Sequence, residues 1–165
     1  MHDWDRPAPG ELWRVQALIN TLDLDTGEDA LSSEWLAENA LGPAPELAPV
    51  RELREALRGV LLSHNGGDID ADALASLRGS VSVTFEADGT PRLSGDDVVG
   101  RVLAIVAVAA ADGTWERLKA CPAEDCHSAF YDFSRNHSRT WCTMSSCGNR
   151  AKARAYRARQ PKAAE

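Results

Sequence analysis

Cys121-Pro-Ala-Glu-Asp-Cys126 and Cys142-Thr-Met-Ser-Ser-Cys147-Gly148-Asn149-Arg150 are the stretches on which the reading of this chain turns. Each cysteine pair encloses four residues, and fifteen residues separate Cys126 from Cys142. Two short pairs on a polar connector suit a tetrahedral Zn²⁺, because each loop folds back until both sulfurs face one point about 2.3 Å away. A glycine directly after Cys147 is expected to take positive φ in such a knuckle, freeing backbone N–H groups to point at sulfur. Four thiolates would close the coordination shell, so the site reads as structural, with one Zn²⁺ per chain. His127 or His137 could replace one cysteine, and two disulfides are the remaining alternative. A nearby general base and an open position, which catalytic zinc requires, have no signal here.

Working outward, the run Arg150-Ala-Lys152-Ala-Arg154-Ala-Tyr156-Arg157-Ala-Arg159 carries five cations and no acid. Charge is split along the chain: residues 1–111 hold 8 Lys/Arg against 19 Asp/Glu, and residues 112–165 hold 10 against 6. From Arg135 to Lys162 there are eight cations and no carboxylate. A net charge of −7 therefore conceals a basic tail suited to a polyanion. On a helix Arg150, Arg154 and Arg157 share one face, with Lys152 and Arg159 flanking. Arg135 and Arg139 could join from the connector, and Tyr156 lies among the cations as a stacking candidate. The competing reading of Arg150 is an internal pair with Asp132, and that of Asn149 is a helix cap. Phe130, Tyr131, Phe133 and Trp141 are expected to form the small apolar core around the metal.

The first 111 residues read as mainly helical. Leu12, Val15, Leu18, Ile19 and Leu22 recur at helical spacing. Ser32 or Ser33 is the expected N-cap of a short helix carrying Trp35 and Leu36. Leu47 to Leu61 marks a longer amphipathic helix closed at His64-Asn65-Gly66-Gly67, and a shorter one is expected over 70–77. At Ser80 the period changes to two: Val81, Val83 and Phe85 alternate with polar residues, Asp88-Gly89 supplies a turn, and Pro91-Arg92-Leu93 returns. Such a hairpin is marginal alone and is expected to pack on the helices. Val98 to Val106 are apolar on more than one face, which makes that helix the expected centre of the domain.

The fold class is thus mainly α with a small β-hairpin (α+β). An acidic helical domain over 1–112 precedes a four-cysteine module and basic helix over 113–162. At 44% hydrophobic residues the chain can bury a real core. No run reaches the 18 apolar residues of a membrane span, and the start Met1-His-Asp-Trp-Asp-Arg6 lacks the basic and apolar regions of a signal peptide. A cytoplasmic location is expected, and there paired cysteines favour metal over disulfides. No nucleophile motif, phosphate loop or dinucleotide fingerprint appears, so an enzyme is not expected.

Trp115-x-x-Leu118-Lys119-x-Cys121, Cys126, Phe130-Tyr131-Asp132-x-Ser134-Arg135-Asn136-x-Ser138-Arg139-x-Trp141-Cys142-x-Met144-x-x-Cys147-Gly148-Asn149-Arg150 resembles the bacterial CGNR zinc finger over about 112–160. Asn20-Thr21, Trp35-Leu36 and Leu53-Arg54-x-Ala56-Leu57 resemble the alanine-rich helical domain that accompanies it, described as a stress-induced transcription regulator. The resemblance implies zinc, DNA as partner, and an N-terminal block that senses a small effector or forms a homodimer. RNA binding and a zinc-ribbon adaptor that mediates protein–protein interaction are the alternatives.

Overall fold

Two helix starts in this chain are set by side-chain caps. Ser32 Oγ accepts from the Trp35 N–H at 3.0 Å, and Asp97 Oδ1 accepts from the Gly100 N–H at 2.7 Å, each satisfying a donor that the first turn leaves unpaired. The computed structural model describes residues 6–159. The termini, with Met1 to Asp5 and Lys162, lie outside the described residues. The elements in order are α1 (Leu12–Ile19), α2 (Ser33–Glu38), α3 (Ala48–Ser63), α4 (Ala71–Ser76), β1 (Ser82–Phe85), β2 (Pro91–Ser94), α5 (Val98–Ala111), β3 (Leu118–Ala120), β4 (Ala129–Tyr131) and α6 (Asn149–Arg159). The architecture is α+β, with two separate antiparallel hairpins, β1–β2 and β3–β4, among the helices.

The core is built from the apolar stripes the sequence marks out. Leu12, Val15, Leu18 and Ile19 of α1 meet Val50, Leu53, Leu57 and Leu61 of α3, all buried. Helix α3 contacts α1, α5 and β3. Two arginines on its inner face are buried with partners. Arg54 forks onto Asp29 at 2.7 and 3.2 Å and donates to Thr21 Oγ1 at 2.9 Å. Burial alone would raise Asp29, but the Arg54 guanidinium holds it below the usual carboxylate range.

Two expectations hold in their contacts but not in full burial. The β1–β2 hairpin pairs as expected, with Val83 opposite Leu93 and Phe85 opposite Pro91, and Gly89 takes φ +84° in its turn. It does not bury its apolar face: β2 reaches α5, yet Val83 and Phe85 stay 59% and 72% exposed. Helix α5 is central as expected, in contact with α1, α3, β2 and the turn at Trp115–Arg117, yet its apolar surface is not fully covered. It buries Val98, Val102, Ala104 and Ala109, while Val108 remains 51% exposed. Val83 and Leu93 of the hairpin and Ile105 and Val108 of α5 line one cleft, described below.

The β3–β4 hairpin was not anticipated. Its register sets Leu118 opposite Tyr131, Lys119 opposite Phe130 and Ala120 opposite Ala129. Side chains alternate across a strand. Leu118, Ala120, Ala129 and Tyr131 accordingly join the helical core, while Phe130 joins a second cluster with Cys121, Cys142, Cys147 and Ala123. One short hairpin thus forms the wall between the helices and the cysteines.

Candidate metal centre and basic helix

Cys121 follows β3 directly, Cys126 closes the first loop, Cys142 precedes a single helical turn at Met144–Gly148, and Cys147 lies within that turn, which runs on into α6. The four sulfurs lie within 4.8 Å of one another. Cys142 Sγ is 3.6 Å from both Cys126 Sγ and Cys147 Sγ. Tetrahedral Zn–S bonds of about 2.3 Å put neighbouring sulfurs about 3.8 Å apart, so the spacing suits one Zn²⁺. All four cysteines are free of disulfides. The chemistry of the donor set agrees. Hydrogen bonding to Cys121 and Cys126 pushes the Cys142 thiol far above its ordinary range, and the hydrogen bond to Cys126 raises Cys121 to about 11. Cys126 moves the opposite way, as the sulfur that accepts from Cys121 and Cys142. Without a cation Cys121, Cys126 and Cys142 resist shedding their protons together; a dication offsets the repulsion and releases them.

His127 and His137 are not in the cluster. Both hold positive φ, 47° and 52°, and both contribute through their backbone carbonyls. His127 O accepts from Arg58 at 3.0 Å, and His137 O accepts from Lys119 Nζ at 2.6 Å. The positive φ expected at Gly148 is absent, because Gly148 sits at the end of the helical turn. Space favours glycine there: a Cβ would lie 2.6 Å from Met144 Sδ and 3.3 Å from Trp141 Cδ1, so the end of the Met144 side chain would have to move. The turn itself is capped by Thr143, whose Oγ1 accepts from the Ser146 N–H at 3.2 Å. Asn149 is therefore inside a continuous helical path and is no cap; its side chain donates back to Ser145 O at 3.2 Å.

The connector is held by a buried ion pair. Lys119 Nζ donates to Asp132 Oδ2 at 2.8 Å, His137 O at 2.6 Å and Arg139 O at 3.1 Å. Asp132, wholly buried, also accepts from the Ser134 and Arg139 N–H groups at 2.9 and 3.0 Å. Burial would raise its pKa, but Lys119 and Ser134 together hold it down at about 2. The partner expected for Arg150 is thus already taken. Arg150 instead pairs with Asp125 at 2.9 Å and donates to Cys147 Sγ at 3.3 Å, the kind of outer contact that orients a metal ligand. Arg139 is also committed inward: Nε donates to Trp141 O at 3.0 Å, another donor reaches Cys142 O, and the guanidinium lies 4.9 Å from the Phe130 ring centroid. Of the aromatics, Phe130 and Trp141 pack at the cysteines, whereas Tyr131 and Phe133 turn to the helical core.

The remaining cations face outward. Arg135 is exposed in the connector, and Lys152, Arg154, Arg157 and Arg159 are exposed along α6 with Tyr156 at 62%. No residue of α6 is buried.

The helical block clasps the cysteine module with polar side chains at helix ends. Asn20, after α1, makes a two-way bond with Ala129: Nδ2 donates to its carbonyl at 2.9 Å and its N–H donates to Oδ1 at 2.7 Å. Asn65, after α3, donates to Ala120 O at 2.9 Å and Thr140 O at 2.7 Å. His64 Nδ1 meets Leu118 O at 2.9 Å. Sequence reasoning read Asn65 as helix-ending residue only. Asn20 had drawn notice through the family pattern, with no role attached.

Two family models match the chain. The CGNR zinc finger covers residues 117–160, and ABATE, described as a putative stress-induced transcription regulator, covers residues 14–114. A comparison with curated proteins finds no match. Among the described residues no helix is long and apolar enough to cross a membrane.

Proposed function

Given that this chain belongs to the ABATE family and ends in a CGNR zinc finger, we propose that it is a bacterial DNA-binding transcription regulator of the stress-response type. Residues 113–162 form the DNA-contacting part and the acidic block 1–112 the sensing part. Cys121, Cys126, Cys142 and Cys147 hold one structural Zn²⁺, which supplies folding energy to the two knuckles and no chemistry of its own.

The observation that carries this reading is α6. It has 11 residues, four exposed cations and no buried side chain. A helix this short gains little from propensity alone, and this one gains nothing from a buried face. What stabilises it is its fusion to the capped turn at Cys147 and, in the complex, a polyanion. Arginine suits phosphate because its planar fork donates two bonds at once. Arg139 and Arg150 act indirectly, by fixing the knuckles from which α6 projects. Direct contacts fall to Arg135, Lys152, Arg154, Arg157 and Arg159, with Tyr156 against the sugar or base. The acidic block opposes non-specific binding, since its own charge repels DNA.

Five phosphate contacts give a slope of log affinity against log salt of about −4.5 on duplex DNA. Fluorescence anisotropy with the zinc-loaded full chain between 50 and 200 mM salt measures it. Each single Arg→Gln change on α6 should flatten the slope by about 1. Absence of binding at low salt, or a salt-independent affinity, refutes the proposal. Tighter binding to RNA would move the assignment to RNA. An Arg154→Glu/Arg157→Glu variant that changes oligomer mass, with no DNA binding in either form, would instead identify a protein-interaction module.

A further inference from the structure

The exposed apolar faces of α5 and of the β1–β2 hairpin converge on one cleft of about 840 Å³, entered beside the first turn of α1. That volume lies within the range of small-molecule sites. Leu12, Val83, Leu93, Ala104, Ile105 and Val108 form its apolar walls. The cations on its lining outnumber the acids, Arg14, Arg92 and Arg101 against Glu11 and Asp112, although residues 1–111 as a whole carry 19 acids and 8 cations.

These five charges are not equally engaged. Arg92 pairs with Glu86 at 2.7 Å, outside the cleft lining. Arg101 donates to Leu41 O at 2.6 Å and to Asp96 O at 2.9 Å. Asp112 accepts from the Thr114 N–H and hydroxyl. Arg14 is the incomplete one. One of its terminal nitrogens meets Glu11, a carboxylate more than half exposed, while its Nε is buried with no acceptor. A buried donor without a partner is costly to leave unmade, and this guanidinium is one acceptor short.

We propose that this cleft binds a small monocarboxylate with an apolar body. The carboxylate turns Arg14 off the exposed Glu11 and completes its fork, and the apolar body covers Val83, Ile105 and Val108. An apolar body without an acid would leave Arg14 unsatisfied; a polar acid without the body would leave the walls wet. The hairpin gains what its own sequence denies it, a covered face. This site is separate from α6, and its test does not depend on DNA binding.

The probe is octanoate, titrated into the zinc-loaded full chain and followed by amide chemical shifts, with octan-1-ol as the uncharged control. Octanoate should saturate one site, with shifts at Leu12, Val83 and Val108. Arg14→Met should weaken octanoate by about tenfold or more, the loss of one charge-assisted contact, and leave octan-1-ol unchanged. Val108→Glu, at an exposed position that the fold does not need, should weaken both. Octanoate that fails to saturate at millimolar concentration, or that binds Arg14→Met as well as wild type, overturns the proposal. So does a sedimentation result showing a dimer that buries Val83 and Val108, since a second copy would then fill the cleft.

Discussion

Replacing Lys119 by Met should be the most damaging single change outside the cysteines. Met keeps the length of the side chain along β3 but removes the ammonium that binds Asp132 Oδ2, His137 O and Arg139 O. Asp132 is 0% exposed, so its carboxylate would stay buried with only two N–H donors left. Breaking a buried pair by removing one partner costs about 3–5 kcal/mol, a large share of a domain's 5–15 kcal/mol. Two carbonyls of the connector lose their donor as well, which places the expected loss at the upper end. The assay is urea unfolding at pH 7.5 and fixed free zinc, followed by the fluorescence of Trp115 and Trp141, with zinc release to a chelator in parallel. Asp132→Asn in the Lys119→Met background should recover more than half of the loss, because it removes the stranded charge, whereas Asp132→Asn alone should destabilise. A loss below 1 kcal/mol for Lys119→Met, or additivity of the two changes, would refute the argument that this ion pair holds the connector.

Gly148→Ala should cost about 1–3 kcal/mol, as an overpacked site does, because the new methyl meets Met144 and Trp141; pairing it with Met144→Ala should restore zinc retention toward wild type. Metal analysis should find one zinc per chain, and Cys142→Ser should release it. Hydrogen exchange would then show the two knuckles and α6 opening while β3–β4 stays protected, since Leu118, Ala120, Ala129 and Tyr131 belong to the helical core. Acid should act on the helical block through Asp29. Its pKa is lowered by Arg54 in the fold, so its contribution is complete above the unfolded value of about 3.9 and is lost as pH falls through the folded one. NMR titration of the Asp29 carboxyl should place it below 3.9 in the wild type and higher in Arg54→Met.

Local rules were sufficient for the elements. Helix stripes at Leu12 to Ile19 and Val50 to Leu61, the cap at Ser32, the Asp88-Gly89 turn and the cysteine spacing are all short-range signals, and each stands where it was read. The four cysteines needed no fold to be paired as metal ligands, because loops of four residues limit where their sulfurs can go. Three-residue strands escape such reading: β3 and β4 are too short for an alternation to register, and only their packing between two clusters shows it.

What tertiary structure alone decided is the division of labour among like residues. Eight cations between Arg135 and Lys162 look equivalent in sequence, yet Arg139 is turned onto carbonyls of the connector and Arg150 is tied at the surface to Asp125 and to the Cys147 thiol, while Arg135 and the other cations of α6 face solvent. Phe130 and Tyr131 likewise separate onto two cores because the β3–β4 pleat sends alternate residues to opposite sides. Sequence determined which residues could bind metal and anions, since that is a matter of chemical type and short spacing. Long-range contacts determined which of them are free to do so, because a buried charge must find its partner inside the fold and is then no longer available outside it.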